Sequence, residues 1–217
     1  MSELKELREF SDAYLNILTT RLAGLNLTRI LEPEEFYLKQ ILDSVLPVEQ
    51  CPEFAMALKN TKTVVDIGFG GGFPLLPLAK LYPEKNFVGL EARGKKADAV
   101  QSIADELGLK NVKCHHRRLE TVAFDIEAVS TLKAVGTIFD FLKLFHVEQK
   151  QRVFFYKGPQ VLELENQGKP PKTWTPLCQK TIVVPGADGR MILGFESQNV
   201  PRGTKKNKEL VNLSSLI

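Results

Sequence analysis

Cysteine is scarce in this chain of 217 residues: only Cys51, Cys114 and Cys178 occur. The number is odd, the positions are scattered and no C-x-x-C pair is present, so neither a disulfide framework nor a zinc site is suggested. Three buried, reduced thiols are expected. His115, His116 and His146 lack the spacing of metal ligands. No window approaches about 18 apolar residues, which argues against a membrane span. The opening MSELKELREF has no apolar stretch and no small-residue cleavage site, so a secretory signal is not expected. A cytoplasmic protein without membrane contact follows as the expectation. Repeats and low-complexity runs are missing too.

What is present is ordinary for a folded domain: 43% hydrophobic and 25% charged residues. The length suits one domain, or one with an appendage. The net charge of +3 hides an asymmetry. Residues 1–60 hold six Lys/Arg against ten Asp/Glu, a balance of −4, and the remainder carries +7. That sign fits an anionic partner, although a solvated basic face gives the same balance.

Leu4, Leu7, Phe10, Tyr14, Ile17 or Leu18, Leu22 and Leu25 recur at helical spacing, and the helix is expected to stop near Gly24. A second helix is expected to start at Pro33 and end at Pro47, and a third over 52–58. Thereafter strands and helices alternate. Strands are expected at 63–67, 86–91, 111–115, 128–132 and 152–157, with helices at 73–81, 95–107 and 137–147. This pattern predicts an α/β fold built on a doubly wound, mostly parallel sheet with an N-terminal helical extension. Strands near 181–184 and 191–195 flank Pro-Gly-Ala-Asp-Gly-Arg and add an antiparallel component at the sheet edge, giving seven strands. Trp174 reads as part of an ordered loop. The division is 1–60 helical extension, 61–200 main domain and 201–217 basic tail.

The central motif is Asp66-Ile-Gly68-Phe69-Gly70-Gly71-Gly72-Phe73-Pro74, placed between a strand and a helix. Glycine lets the chain turn sharply and lets a ligand approach the backbone closely. The spacing is G-x-G-x-G with an acid two residues upstream. It resembles motif I of class I S-adenosylmethionine-dependent methyltransferases; a tight turn with no ligand is the lesser reading of the loop alone. Glu91 ends the second strand, where an acid can accept both ribose hydroxyls of an adenosine. Its other reading is a surface carboxylate paired with Arg93 or Lys95. Asp66, Gly70 and Glu91 together occupy the carboxyl edge of adjacent strands, where doubly wound sheets bind nucleotide-like ligands.

Further segments resemble the RsmG/GidB family, which methylates N7 of a guanine in bacterial 16S ribosomal RNA. Gly72-Phe-Pro-Leu-Leu-Pro-Leu-Ala79 is similar to the family's G-F-P-G-I-P-L-A, and Lys39-Gln-Ile-Leu-Asp-Ser44 to its R-H-I-L-D-S. Glu91-Ala-Arg-Gly-Lys-Lys96 resembles D-S-L-G-K-R, Arg118-Leu-Glu120 resembles R-A-E, and Lys157-Gly158 resembles the strand-ending K-G. Val200-Pro-Arg-Gly-Thr-Lys-Lys206 resembles the basic C-terminal finish. The likeness runs over residues 1–208. It implies a Rossmann-like methyltransferase fold, S-adenosylmethionine as cofactor, and Gly68, Phe73, Leu119, Glu120 and Lys133 as cofactor contacts. Phe73 and Leu119 are equally explained as core residues, and Glu120 as a partner of Arg117 or Arg118. Phe69, Gln40 and Lys133 stand where the family has Ser, His and Arg.

The resemblance also implies 16S rRNA or the small ribosomal subunit as partner, met by a monomer. Candidate phosphate contacts are Lys95, Lys96, Arg117, Arg118, Lys157, Arg202, Lys205, Lys206 and Lys208. The four tail residues also fit a merely solubilising segment. Phe69 and Phe73 are candidates for stacking on a base, or for core. No catalytic base and no metal is expected. Other readings of the same residues are a methyltransferase of this fold with a different RNA or small-molecule substrate, and a non-enzymatic RNA-binding paralogue.

Overall fold

The computed structural model describes residues 2–165, 169–187, 189–198 and 210–217. Its centre is a seven-stranded sheet: β1 (Thr63–Ile67), β2 (Asn86–Glu91), β3 (Val112–His116), β4 (Ala128–Lys133), β5 (Gln151–Lys157), β6 (Trp174–Ile182) and β7 (Arg190–Ser197). The order is 3-2-1-4-5-7-6. The first five strands run parallel, and β7 pairs antiparallel with both β5 and β6. The antiparallel component expected at the edge is the β6–β7 pair, with β7 inserted between β5 and the edge strand β6. Trp174 opens β6 rather than sitting in a loop. It is buried, and its indole Nε1–H donates to Leu142 O at 3.0 Å.

Period-two alternation feeds two cores, one on each face of the sheet. Val64, Phe87, Val129 and Phe154 face one core, while Val65, Val88, Val153 and Phe155 face the other. Such near-continuous apolar strands are what a sheet covered on both sides requires.

The first core is shared with the N-terminal extension. It comprises α1 (Ser2–Thr20), α2 (Pro33–Phe36), α3 (Asp43–Gln50) and α4 (Pro52–Lys59), with a π-helical segment Tyr37–Leu42 joining α2 to α3. Pro33 does begin a helix, with Glu32 capping it through Glu35 N at 2.8 Å. Pro47 does not end one: α3 continues to Gln50, and the Cys51 amide bonds Pro47 O at 3.1 Å. Proline removes its own donor but leaves its carbonyl free to accept the next turn. On the same face lie α5 (Leu75–Leu81) and α6 (Gly94–Glu106). The opposite face carries α7 (Ile138–Lys143) and α8 (Val161–Glu165). The helix expected over 137–147 stops early, because His146–Val147 forms a two-residue strand beside Val122–Phe124.

Residues 210–217, read above as the end of a tail, are folded onto the domain. Val211–Asn212 pairs with Val122 and Ala123, and Leu213 and Leu216 are buried. Arg202, Lys205, Lys206 and Lys208 lie outside the described residues. Among the described residues, no helix is long and apolar enough to cross a membrane.

The extension is anchored where the Tyr14 hydroxyl donates to Gly71 O in the glycine loop. Tyr14→Phe is expected to lower stability by about 0.5–1.5 kcal/mol, because a buried carbonyl loses its donor. Denaturant unfolding checks this: the midpoint should fall with the slope unchanged.

Candidate cofactor and RNA site

The glycine loop leaves the carboxyl end of β1 with Gly68, Gly70 and Gly72 at φ of +69°, +55° and +90°. Two positions show why side chains are excluded. A Cβ on Gly71 would lie 2.6 Å from Leu27 O, so the extension is seated against bare backbone. A Cβ on Gly70 would meet nothing closer than 3.9 Å, so this glycine keeps the positive φ and leaves an open cradle.

Asp66 and Glu91 hold this loop in different ways. Asp66 is buried beneath it, accepting from Leu75 N at 3.0 Å and from the Thr131 hydroxyl at 2.9 Å. It thus ties β1 to the start of α5 and to β4. Glu91 accepts from Gly70 N at 3.1 Å through one oxygen and from Arg93 N at 2.9 Å through the other. Each carboxylate oxygen retains a second lone pair, which suits a ribose diol.

The loop walls a cavity of about 490 Å³ lined by Leu27, Gln40, Gly68, Phe69, Gly70, Gly71, Phe73, Glu91, Arg93, Lys96, Lys133, Ala134 and Val135. Five of the eight candidate cofactor positions therefore meet at one place: Gly68, Gly70, Phe73, Glu91 and Lys133. Asp66 lies behind the wall. Leu119 is buried in the opposite core, and exposed Glu120 faces Arg118 at 3.9 Å, the second of the two readings left open for it. Neither lines this cavity.

Phe73 is buried and stacks on Tyr14 with ring centroids 5.1 Å apart. Phe69 is buried against Gly89, where a Cβ would lie 2.6 Å from its ring. Both rings belong to the core and also line the cavity.

Lys133 is largely enclosed and ion-pairs with Asp43 at 2.7 Å, while Arg190 holds the other Asp43 oxygen at 2.9 Å. Burial lowers the Lys133 ammonium below its usual value, and Asp43 opposes that shift. The next residue, Ala134, has a φ of +54°, the one non-glycine in the left-handed region among the described residues. Such strain clusters at ligand sites.

Lys157 departs from the expected phosphate role. It is buried, and its ammonium donates to Val135 O at 3.3 Å, Gly136 O at 2.6 Å and Glu165 at 2.6 Å. Its charge supports the loop after β4 and is not presented to a partner. By contrast, Arg93, Lys95 and Arg118 are exposed and Lys96 and Arg117 half-buried, all near the carboxyl ends of β2 and β3. Sequence reasoning missed Leu27, Gly71, Arg93, Ala134 and Val135 as lining residues. Leu27 carried no local signal, because a distant segment folds over to bring it there.

Burial raises the Asp66 carboxyl from 3.8 to about 7, against its two hydrogen bonds and the charge of Lys133. A carboxyl raised on folding stabilises the fold at low pH, and that contribution is lost as pH climbs through about 7. The stability gap between Asp66→Asn and the parent should therefore move toward the variant from about pH 5 to about pH 8. Thermal melts across that range check it, and a gap independent of pH would show that Asp66 is already ionised in the fold.

Comparison with known proteins matches residues 8–186 to the family described as GidB, rRNA small subunit methyltransferase G. A ribosomal RNA small subunit methyltransferase G from Solibacter usitatus (strain Ellin6076) is 35% identical over 149 residues, covering 67% of this chain and 68% of that protein. The protein of the same name from Lactococcus lactis subsp. cremoris (strain SK11) is 32% identical over 121 residues, covering 56% of this chain and 49% of its own length. The Streptococcus pneumoniae serotype 19F (strain G54) protein is 36% identical over 118 residues, 54% of this chain and 48% of that one, so these matches span about half of those relatives. Magnesium protoporphyrin IX methyltransferase from Synechocystis PCC 6803, solved with bound SAM, superposes with a TM-score of 0.53 at 11% identity. That match covers 91% of this chain and 98% of the other, and establishes a shared class I methyltransferase fold. By the family model and by the Solibacter relative, this chain belongs to the GidB family of rRNA small subunit methyltransferases G.

Proposed function

We propose that this chain transfers a methyl group from S-adenosylmethionine to N7 of a guanine in 16S ribosomal RNA. The carrying observation is the single cavity that joins the glycine loop, Glu91 and Lys133 under the N-terminal extension, in a chain of this family. Its volume of about 490 Å³ falls within the range of small-molecule sites. The residues fit the cofactor: Gly68 and Gly70 offer bare backbone, Glu91 offers acceptors for the ribose, and Gln40, Arg93 and Lys96 place polar groups around the remainder.

Bound S-adenosylmethionine supplies an electrophilic methyl group. Guanine N7 has an in-plane lone pair and no proton to lose, so the chain need not provide a general base. Its task is to hold two reactants in line, and orientation of this kind is worth roughly 7–11 kcal/mol. Asp43 pairs with the Lys133 ammonium at 2.7 Å, and a charge so engaged suits a product base that becomes cationic, which a free ammonium beside N7 would oppose. Lys157 keeps the loop through Val135 and Gly136 fixed, and with it one wall of the cavity.

For RNA, the supporting surface is Arg93 and Lys96, which line the cavity, with Lys95, Arg117 and Arg118 after the carboxyl ends of β2 and β3, and with Arg202, Lys205 and Lys206 proposed to add charge from outside the described residues. Neutralising phosphates there gives affinity, while base specificity comes from the pocket.

Glu91→Ala is expected to weaken S-adenosylhomocysteine binding by about 1–3 kcal/mol, roughly 5- to 150-fold in Kd by calorimetry. Gly70→Ala should cost about 1–2 kcal/mol of stability through its left-handed backbone, and should weaken the same ligand by crowding the cradle. Replacing Lys95, Lys96 and Arg118 together by Ala should lower rRNA affinity and flatten its salt dependence by about 0.7 per lost phosphate contact, leaving cofactor affinity intact. The reaction itself is tested by methylating 16S rRNA and small subunits with labelled donor and mapping the product by cleavage at 7-methylguanosine. Cofactor binding without any rRNA product would reject this substrate.

A further inference from the structure

Two of the three cysteines meet although 127 positions separate them in sequence: Cys51 Sγ lies 3.4 Å from Cys178 Sγ. Glu53 Oε2 stands 3.5 Å from Cys51 Sγ, and all three donor atoms fall within 4.8 Å of one another. Cys51 is fully buried, and the other two are half-buried.

The surrounding structure holds these groups in place. Cys51 is the hinge between α3 and α4, its carbonyl accepting from Phe54 N and Ala55 N at 3.0 Å each. Glu53 follows in the first turn of α4. Cys178 lies on β6 where the register against β7 shifts between Pro176 and Cys178, and an irregularity of this kind re-aims a side chain. Opposite it stands Gly194, where a Cβ would lie 2.7 Å from the Cys178 sulfur. The two elements are locked together next door. Gln50 donates to Val183 O at 2.9 Å and accepts from Val183 N at 2.8 Å.

We propose that Cys51, Cys178 and Glu53 form a binding site for a thiophilic divalent cation of the zinc class. Tetrahedral zinc with sulfur at about 2.3 Å and carboxylate oxygen at about 2.1 Å separates two sulfurs by roughly 3.8 Å, and sulfur from oxygen by roughly 3.6 Å. The observed 3.4 and 3.5 Å lie within about half an ångström of both. Two sulfurs and one carboxylate exclude hard cations such as magnesium or calcium, which take oxygen ligands. On binding, each thiol gives its proton to solvent, and solvent completes the fourth position. None of the three ligands lines the methyl-transfer cavity. The cation is a structural pin between the N-terminal extension and the outer strand of the sheet, and it stands independently of the RNA reading.

The test uses the full chain, stripped with a chelator and kept reduced with a phosphine. Cobalt(II) is the probe. One equivalent should give sulfur-to-cobalt charge-transfer absorption and the intense visible bands of a tetrahedral site, zinc should bleach both, and zinc should raise the melting temperature. Cys51 is buried deeply enough that its loss risks misfolding, so Cys178→Ser and Glu53→Gln are the decisive variants, each checked by a cooperative melt and by S-adenosylhomocysteine binding. Even outer-shell losses cost metal sites about 10–100-fold, so Cys178→Ser should abolish the charge-transfer band and weaken zinc by more than about tenfold. Glu53→Gln should keep the band and weaken zinc, and Cys114→Ser should change neither. No charge-transfer band in the parent, or the same band in Cys178→Ser, overturns the proposal. So does a reduced chain that takes up no cobalt but forms a Cys51–Cys178 disulfide on treatment with diamide, which would assign the pair to redox chemistry instead.

Discussion

Everything at the carboxyl edge of this sheet depends on bare backbone being covered by bare backbone. Gly71 has no side chain, so Leu27 O can sit within 2.6 Å of where a Cβ would be, and the Tyr14 hydroxyl reaches Gly71 O. Phe73 then stacks on Tyr14 and meets Phe36 edge-on, so the loop and the extension share one aromatic cluster. A residue with any bulk at position 71 would lift the extension and open the cavity along the Leu27 side. The glycines therefore answer two demands at once, one from the ligand and one from the protein's own roof.

Much of this was legible in the sequence. The β1–loop–α5 unit announces itself through an apolar run, a cluster of glycines and Asp66, and Glu91 falls at the end of the next apolar run. Local pattern suffices because these residues are adjacent in the chain or one crossover apart. The rest depended on partners far away. Nothing around Leu27 marks it as a cavity residue. Trp174 sits among polar and proline-rich neighbours that mask a strand, since β6 is an edge strand with one face toward solvent. Pro47 looked like a helix terminator because propensity sees the missing donor and not the carbonyl that Cys51 uses. The two-residue strand at His146–Val147 is too short to leave any periodicity.

Charge was the least transparent property. In the sequence Lys157 reads as a phosphate contact and Lys133 as a cofactor contact, yet the first ammonium is engaged by two carbonyls and Glu165, and the second by Asp43. Burial of a lysine is tolerated only with partners of this kind. The basic residues left at the surface lie beside the carboxyl ends of β2 and β3, and of these Arg93 and Lys96 line the cavity. Asp66 shows the same principle with the opposite sign: an acid that resembles a ligand contact is a brace, and its burial is what raises its pKa to about 7.

The docking of the first 60 residues has a thermodynamic consequence. Leu27 and Gln40 belong to the extension but face the same space as Gly68 and Glu91. Anything that fills that space favours the docked arrangement over an undocked one by its differential affinity, and reciprocally a loosened extension taxes the apparent affinity by the fraction of time it is away. The amino-terminal helices are thus a component of the equilibrium that the pocket reports. Slow amide exchange in α1 would register occupancy at a site the helix itself does not line.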